Sequence, residues 1–445
     1  MSARGRGLMP AGIVATAVRR LRHDALVRNS LFLTLNTGTI AAFGFAFWLL
    51  NSRLFTAGQI GVATALISGA SLISYFSLFG FNTTFVRFLP TSRQRDSEIN
   101  TGLLIVFATA LVVAALYVLL VPLIAPKLAI VLGSSGRAVG FVVLTAFWAV
   151  NVVTDSVFIA FRKTQYNLLV DGIIQGVMKL ALPALVVGLG AYGIFMTSGL
   201  AAGVAVAASI VFMMRVVEYR PKLVLSSNVL RRTWEYSAAN YAANLLNLCP
   251  MLITPLIVLD LLGPRQAGFY YIAFQVAALL FSVGYAVSAS FFAENSYEGS
   301  HLPSLLRRSA KILAIVCIPS SILFAVAGHW LLLLFGPQYS ANASSALVIL
   351  ALSAPSVAFC STATTVLRIT KQLRAVVVAN AVYALIIVSV TLLGVRHGLQ
   401  WVAVAWLLGN TATGFLAAGL AAIHFHTSHG GTGAARPAPG QNGAT

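Results

Sequence analysis

Charge is scarce in this sequence, and negative charge scarcest. Only 9% of the 445 residues are Asp, Glu, Lys or Arg, and Asp plus Glu number 10 against 29 Lys plus Arg. A soluble domain carries about 25% charged residues, so a water-exposed globule is excluded. Cysteine is nearly absent. Cys249, Cys317 and Cys360 each fall in a different apolar run without metal-ligand spacing, and read as small hydrophobes rather than a disulfide framework or a zinc site. A nucleoside-triphosphate loop, an acidic pair in an outer loop and a Ser/His/Asp set are all missing, so the chain reads as not an enzyme, with no cofactor to expect. His424, His426 and His429 cluster only in a terminal tail, and no metal site is read from them.

What the chain has in abundance is hydrocarbon, with 59% of its residues hydrophobic. A helix of about 20 apolar residues crosses the roughly 30 Å hydrocarbon core of a bilayer. Such runs lie near 31–52, 60–80, 102–125, 138–161, 169–190, 193–215, 238–262, 268–292, 311–335, 344–367, 375–395 and 399–423. Helices are expected because a lipid-exposed backbone must satisfy its hydrogen bonds within the segment. The basic stretch 1–30 holds an apolar run, Ala11 to Val18, too short for a signal-peptide core. It reads as a cytoplasmic arm lying on anionic membrane lipid. With the N-terminus inside, 23 Lys and Arg fall on the cytoplasmic side. Arg53, Lys127, Arg137, Arg265 and Arg396 fall outside, and Lys179 lies within a span. That asymmetry sets the orientation, with both termini cytoplasmic. It also accounts for much of the +19 net charge without a nucleic-acid partner.

The two halves of the chain match at an offset near 207 residues. Gln59-Ile60-Gly61 mirrors Gln266-Ala267-Gly268, Arg162-Lys163-Thr164-Gln165 mirrors Thr370-Lys371-Gln372, and Tyr192-Gly193 mirrors Leu399-Gln400. The expected plan is an all-α polytopic membrane protein of about 12 transmembrane helices: arm 1–30, six-helix lobe 31–217, cytoplasmic linker 218–235, six-helix lobe 236–424 and disordered tail 425–445. Parallel repeats of this kind are a known transporter plan, with the substrate held between lobes that rock.

Three stretches carry a family likeness. The first is Phe55-Thr56-Ala57-Gly58-Gln59-Ile60-Gly61, followed by Leu78-Phe79-Gly80-Phe81 and Val86-Arg87-Phe88-Leu89-Pro90. The second is Ala267-Gly268-Phe269-Tyr270-Tyr271-Ile272-Ala273, ending in Phe292-Ala293-Glu294-Asn295-Ser296. The third is Leu334-Phe335-Gly336-Pro337-Gln338-Tyr339. In order and at this spacing they resemble the polysaccharide-transporter branch of the MOP exporter superfamily, the Wzx-type flippases, over roughly residues 30–425. The resemblance implies a MATE-like, V-shaped pair of six-helix lobes that flips undecaprenyl-diphosphate-linked oligosaccharide. The chain departs from the family pattern in the middle of span seven, where Pro250-Met251-Leu252 replaces a frequent acidic residue.

Lys179 sits near the middle of span five, where insertion costs on the order of 2.5–3.5 kcal/mol, so it should face protein or a wet cavity. Gln175 and Asp171 precede it at four-residue steps on one helical face. Two readings stand: Lys179 binds a diphosphate, or it forms a structural pair with Asp155 or Asp171. Asp155, in the cytoplasmic third of span four, is either an ion-coupling carboxylate or a charge partner. Gly172 and Gly176 read as a close helix-packing pair. Asn240, Asn244 and Asn247 form a stripe on span seven that suits sugar hydroxyls or interhelical hydrogen bonds. Tyr271 and Gln275 add a polar-aromatic face on span eight. Arg87 and Glu294 are equivalent in the repeat and suggest either an inter-lobe latch or ordinary solvated helix ends.

The function these features suggest is export of a lipid-linked oligosaccharide across a bacterial inner membrane for cell-surface polysaccharide synthesis, alongside a polysaccharide polymerase and glycosyltransferases. The alternative is an ion-coupled multidrug or small-molecule exporter of the same superfamily. A cation exporter has no evident use for a mid-span lysine. A membrane glycosyltransferase would need a sizeable acidic outer loop. Reporters fused after Arg95, Arg232 and Arg374 should report cytoplasm, and those near Lys127, Arg265 and Gly336 periplasm. Two adjacent contradictory reporters would expose a missed or false span.

Overall fold

The computed structural model describes residues 25–223, 225–295 and 302–430; most of the basic arm and the tail from 431 onward lie outside them. The helices in chain order are α1 (Ala25–Leu54), α2 (Ala57–Ser77), α3 (Phe81–Phe88), α4 (Arg95–Ile124), α5 (Pro126–Leu132), α6 (Ser135–Ala160) and α7 (Gln165–Leu185). Then come α8 (Ala191–Phe212), α9 (Ser227–Leu262), α10 (Pro264–Glu294), α11 (Leu302–Leu333), α12 (Pro337–Leu352), α13 (Ala354–Ile369), α14 (Leu373–Gly394) and α15 (Leu399–Gly430). Among the described residues 11 helices are long and apolar enough to cross a membrane, and the bent pair α12–α13 makes 12. The chain is a polytopic helical membrane protein.

Two spans depart from a regular α-helix. The one expected at 344–367 starts at Pro337 and bends by 40° between α12 and α13. Pro355, in the first turn of α13, lacks the N–H that would continue the ladder. Within α7, Leu168–Ile174 is π-helical, with the Gln175 N–H reaching back five residues to the Val170 carbonyl. Pro183 then ends the regular helix in a 3₁₀ turn. The stretch expected as the linker, 218–235, takes in the start of α9, which begins at Ser227. Asn100 on α4 straps it down: its Oδ1 accepts from Tyr219 Oη at 2.6 Å and from the Lys222 N–H at 2.9 Å. Burial pushes the Tyr219 phenol up to about 12, with Asp96 adding to the effect.

The described chain falls into two compact units. The first takes in the chain to Tyr241 together with Met251–Gln275 and Trp330–Ala343; the second is Ala242–Pro250, Val276–His329 and Ser344 onward. The first has a core of Phe81, Phe85, Ile99, Val153 and Phe158 on α3, α4 and α6. The second packs Phe291, Leu367, Val376 and Ala417 together, and Asn380 Nδ2 donates to the Ala243 carbonyl at 2.8 Å.

The repeated motif of the sequence has a structural purpose in the first unit. Thr56 caps α2: its hydroxyl accepts the Gln59 N–H at 3.2 Å, and Gln59 Oε1 accepts the Thr56 N–H at 2.9 Å. One turn on, α2 crosses the start of α10, and the glycines equivalent in the two copies meet. A Cβ on Gly61 would collide with the Pro264 carbonyl and stand 2.6 Å from the Gly268 nitrogen; one on Gly268 would strike the Ala57 carbonyl. Overpacking of this kind costs about 1–3 kcal/mol or more, because backbone cannot move aside as a side chain can. Gly61→Val and Gly268→Val should each lower the melting temperature of the purified protein, while Gly188→Ala, at an open position, should not. Wild-type melting of both valine variants would mean that the crossing is loose.

Candidate functional site

A cavity of about 190 Å³ lies inside the first unit, walled by α1, α2, α6, α7, α8 and the first part of α10. Asp171, Gln175, Lys179, Tyr271 and Gln275 all line it. Five residues singled out in the sequence, from two distant spans, therefore converge on one space. The π-turn in α7 places the Asp171 and Gln175 side chains on that wall, a common use of such turns at functional sites. Gly176 lets α1 close against α7: a Cβ there would stand 2.6 Å from the Phe43 ring.

The polar groups are held by short bonds. Lys179 Nζ donates to Gln175 Oε1 at 2.9 Å. An ammonium has three N–H donors, so two remain for a ligand or water. Asn151 Nδ2 on α6 donates to Asp171 Oδ1 at 2.9 Å, while the buried Asp171 Oδ2 has no partner among the described residues. No ion pair joins Lys179 to Asp171 or Asp155 among the described residues; its partner is the amide of Gln175. Asp155, one helical turn beyond Asn151 on α6, is a neighbour of Asp171. Asp155 Oδ1 is also buried without a partner among the described residues. The cavity is thus a cation, a carboxylate and two amides inside hydrocarbon depth.

Sequence reasoning missed the aromatic walls. Phe43, Phe47 and Trp48 on α1 and Trp148 on α6 complete the lining, and the Trp48 ring meets the Tyr271 ring edge-on at 4.7 Å between centroids. An aromatic on an apolar span carries no signal of its own. Asn151 was also missed, although it stands one helical turn before Asp155 and the spacing of the two was readable.

The other residues singled out lie elsewhere. Asn240 is half-buried on α9 and Asn247 is exposed. Asn244 Oδ1 accepts from Arg368 Nη2 at 3.4 Å within the second unit. None of the three lines the cavity. The Arg87 guanidinium lies over the Phe88 ring at 5.7 Å in the first unit. Glu294 is exposed in the second unit, beside a cavity it shares with Arg308 and Ser290. His424 packs near Phe425, and the side chains of His426 and His429 lie outside the described residues.

Comparison with known proteins agrees with this architecture. Among solved structures, the lipid II flippase MurJ in an inward closed conformation matches with a TM-score of 0.71 at 14% identity, over 87% of this chain and 86% of its own. An inward-facing multidrug resistance MATE family transporter of the MOP superfamily gives 0.65 at 13% identity, over 91% and 100%. A MOP superfamily transporter from Pyrococcus furiosus, described by the reverse polarity of its binding pocket, gives 0.62 at 13%, over 91% and 96%. At such identities the likeness is one of fold, the two-lobed helical fold of these transporters. No curated protein matches the sequence. Residues 50–344, more than half of the chain, match the family described as polysaccharide biosynthesis protein, and the chain belongs to that family.

Proposed function

We propose that the protein is a flippase that carries an anionic, lipid-linked oligosaccharide across a bacterial inner membrane. The lobes at 31–217 and 236–424 alternate access to the cargo, and a polymerase and glycosyltransferases work on either side of the step. The observation that carries this reading is the cavity in which Lys179 stands among Gln175, Gln275, Tyr271 and two tryptophans. Amides both donate and accept, as sugar hydroxyls require; aromatic faces cover the apolar faces of a sugar ring; and an ammonium answers a phosphate. Membership of a polysaccharide biosynthesis family supports a glycan cargo. On this reading the lipid carrier is undecaprenyl diphosphate, and its charge is what Lys179 offsets while the head group crosses a region where an uncompensated charge is very costly.

Lys179→Ala should abolish translocation of lipid-linked oligosaccharide in proteoliposomes while leaving monodisperse protein in the membrane. Lys179→Arg should keep part of it, since the charge remains but the geometry changes. Normal transport by Lys179→Ala would sink the cationic role. Recovery in Lys179→Ala/Asp155→Asn would make the lysine a mere counterion.

The neighbouring carboxylates Asp155 and Asp171 are the proposed ion-coupling site, because ionisable groups within a span are costly and mark ion pathways. Asp171→Asn should slow transport and remove its dependence on an imposed pH gradient, measured in the same proteoliposomes with and without the gradient. An unchanged gradient dependence would return the pair to a structural role. Export of a small cation, as the multidrug reading requires, should survive Lys179→Ala; that result together with no oligosaccharide movement by the wild-type protein would favour the multidrug class.

A further inference from the structure

We infer that Arg53 and Lys127 form an outer latch, closing the face opposite the cytoplasm by capping two helices that come from the second half of the chain. The charge asymmetry leaves five cations on that face, and each stands against the rule that sets the topology. The structure gives four of them a specific contact within the first unit. Arg265 lies over the Phe269 ring at 5.7 Å on its own helix, and Arg137 over the Tyr192 ring at 6.0 Å within the first half of the chain. Arg53 and Lys127 instead reach far along the sequence.

Arg53, in the last turn of α1, donates Nη2 to the Leu334 carbonyl at 2.6 Å. That carbonyl lies just past the end of α11, where the turn Leu334-Phe335-Gly336 leads into α12. Phe335 seats the turn by packing edge-on against Phe45 at 5.3 Å, and Tyr339 packs on Phe269 at 5.4 Å. Lys127, at the start of α5, donates Nζ to the carbonyls of Leu259 and Asp260 at 3.0 and 2.6 Å, in the last turn of α9. The last carbonyls of a helix have no partner within it and carry the negative end of its dipole. The Leu259 carbonyl also accepts the Gly263 N–H at 3.1 Å, so there the cation chiefly answers the dipole, and here each cation comes from the other half of the repeat. The Gly61–Gly268 crossing joins the same two halves of the repeat: Gly61 is on the helix that follows Arg53, and Gly268 is on the helix that follows Leu259 and Asp260.

The contacts are built to release. A cation on a helix end at the surface is a modest and salt-screened attraction, unlike the close backbone packing that it flanks. Opening this face breaks three hydrogen bonds that water can replace and parts the glycine crossing beside them, and it exposes no unpaired buried charge. The latch therefore biases which face is closed without locking it. The inference presumes the orientation read from charge and the alternating access proposed above. Its readout needs no cargo, so it fails or stands separately from the identity of the substrate.

The test uses the full chain in proteoliposomes, with Cys249, Cys317 and Cys360 changed to Ala. A Cβ on Gly58 would stand 3.7 Å from the Cβ of Pro264, within the roughly 3.5–4.5 Å span of a disulfide. G58C/P264C should therefore crosslink readily under mild oxidation while the seam is closed. Adding R53A/K127A should slow crosslinking about three- to tenfold, the effect of losing two charge–dipole contacts of ordinary size. Labelling of the free thiols by a membrane-impermeant maleimide should rise in step. R53K/K127R, which keeps both charges, should crosslink near the parental rate. If the double alanine variant is not monodisperse, R53A and K127A alone should each give part of the slowing. Crosslinking of the alanine variants at the parental rate would overturn the latch. So would loss in R53K/K127R equal to that in R53A/K127A, since the effect would then not be one of charge on a helix end.

Discussion

Where α2 crosses α10 the two backbones touch, and a side chain on either Gly61 or Gly268 would drive them apart. The candidate site depends on that contact. Tyr271 and Gln275 follow Gly268 along α10 by one and two turns, so the crossing fixes the height and rotation at which both enter the cavity opposite Lys179. The capping box at Thr56 and Gln59 fixes the start of α2 immediately before the crossing. A local hydrogen-bond pattern, a steric requirement for glycine and the geometry of a binding wall are thus successive links of one short motif. A ridges-and-grooves packing of larger residues would hold the helices several ångströms farther apart.

The same unit has to keep charge inside hydrocarbon depth, and it does so by dispersing the compensation. Lys179 bonds an amide rather than a carboxylate, and Asp171 bonds the amide of Asn151 rather than the lysine. A direct Lys179–Asp171 pair would satisfy both charges, and a ligand would then have to break it. Removing one partner of a buried ion pair leaves the other uncompensated, at about 3–5 kcal/mol. Neutral amides as partners leave the ammonium with donors unspent and at smaller cost to redirect. An arrangement that binds and releases an anion would gain from this, whereas one that only holds helices together would gain from the pair.

Much of the fold was legible because bilayer physics limits the choices. Twelve apolar runs became 11 spanning helices and one bent pair, since length and hydropathy decide spanning almost alone. The repeat was legible too, and its glycines proved to be the place where the two copies meet. What periodicity could not give was deviation from the regular helix. The π-turn at Leu168–Ile174 has no compositional mark, and the bend before Pro355 was concealed inside a run of unbroken hydropathy. The cavity was half legible: the lysine, the carboxylate and the amides announced themselves by their cost in a membrane. Trp48 and Trp148 did not, because an aromatic in a span is the ordinary case.

The asparagine stripe shows that helical spacing alone does not bring polar residues to the Lys179 cavity. Asn240, Asn244 and Asn247 keep helical spacing, as do Asp171, Gln175 and Lys179. Only the second set gathers amides and rings from another span. Asn244 bonds an arginine at the end of α13, and its neighbour Ala243 gives its carbonyl to Asn380. Each contact gives an amide one hydrogen-bond partner within the second unit. A site needs groups left partly unsatisfied, and a protein tolerates those only where several elements converge to enclose a space that a ligand or water can fill. The residues that carry function in a span are therefore set as much by what faces them across the helix interface as by their own cost of burial.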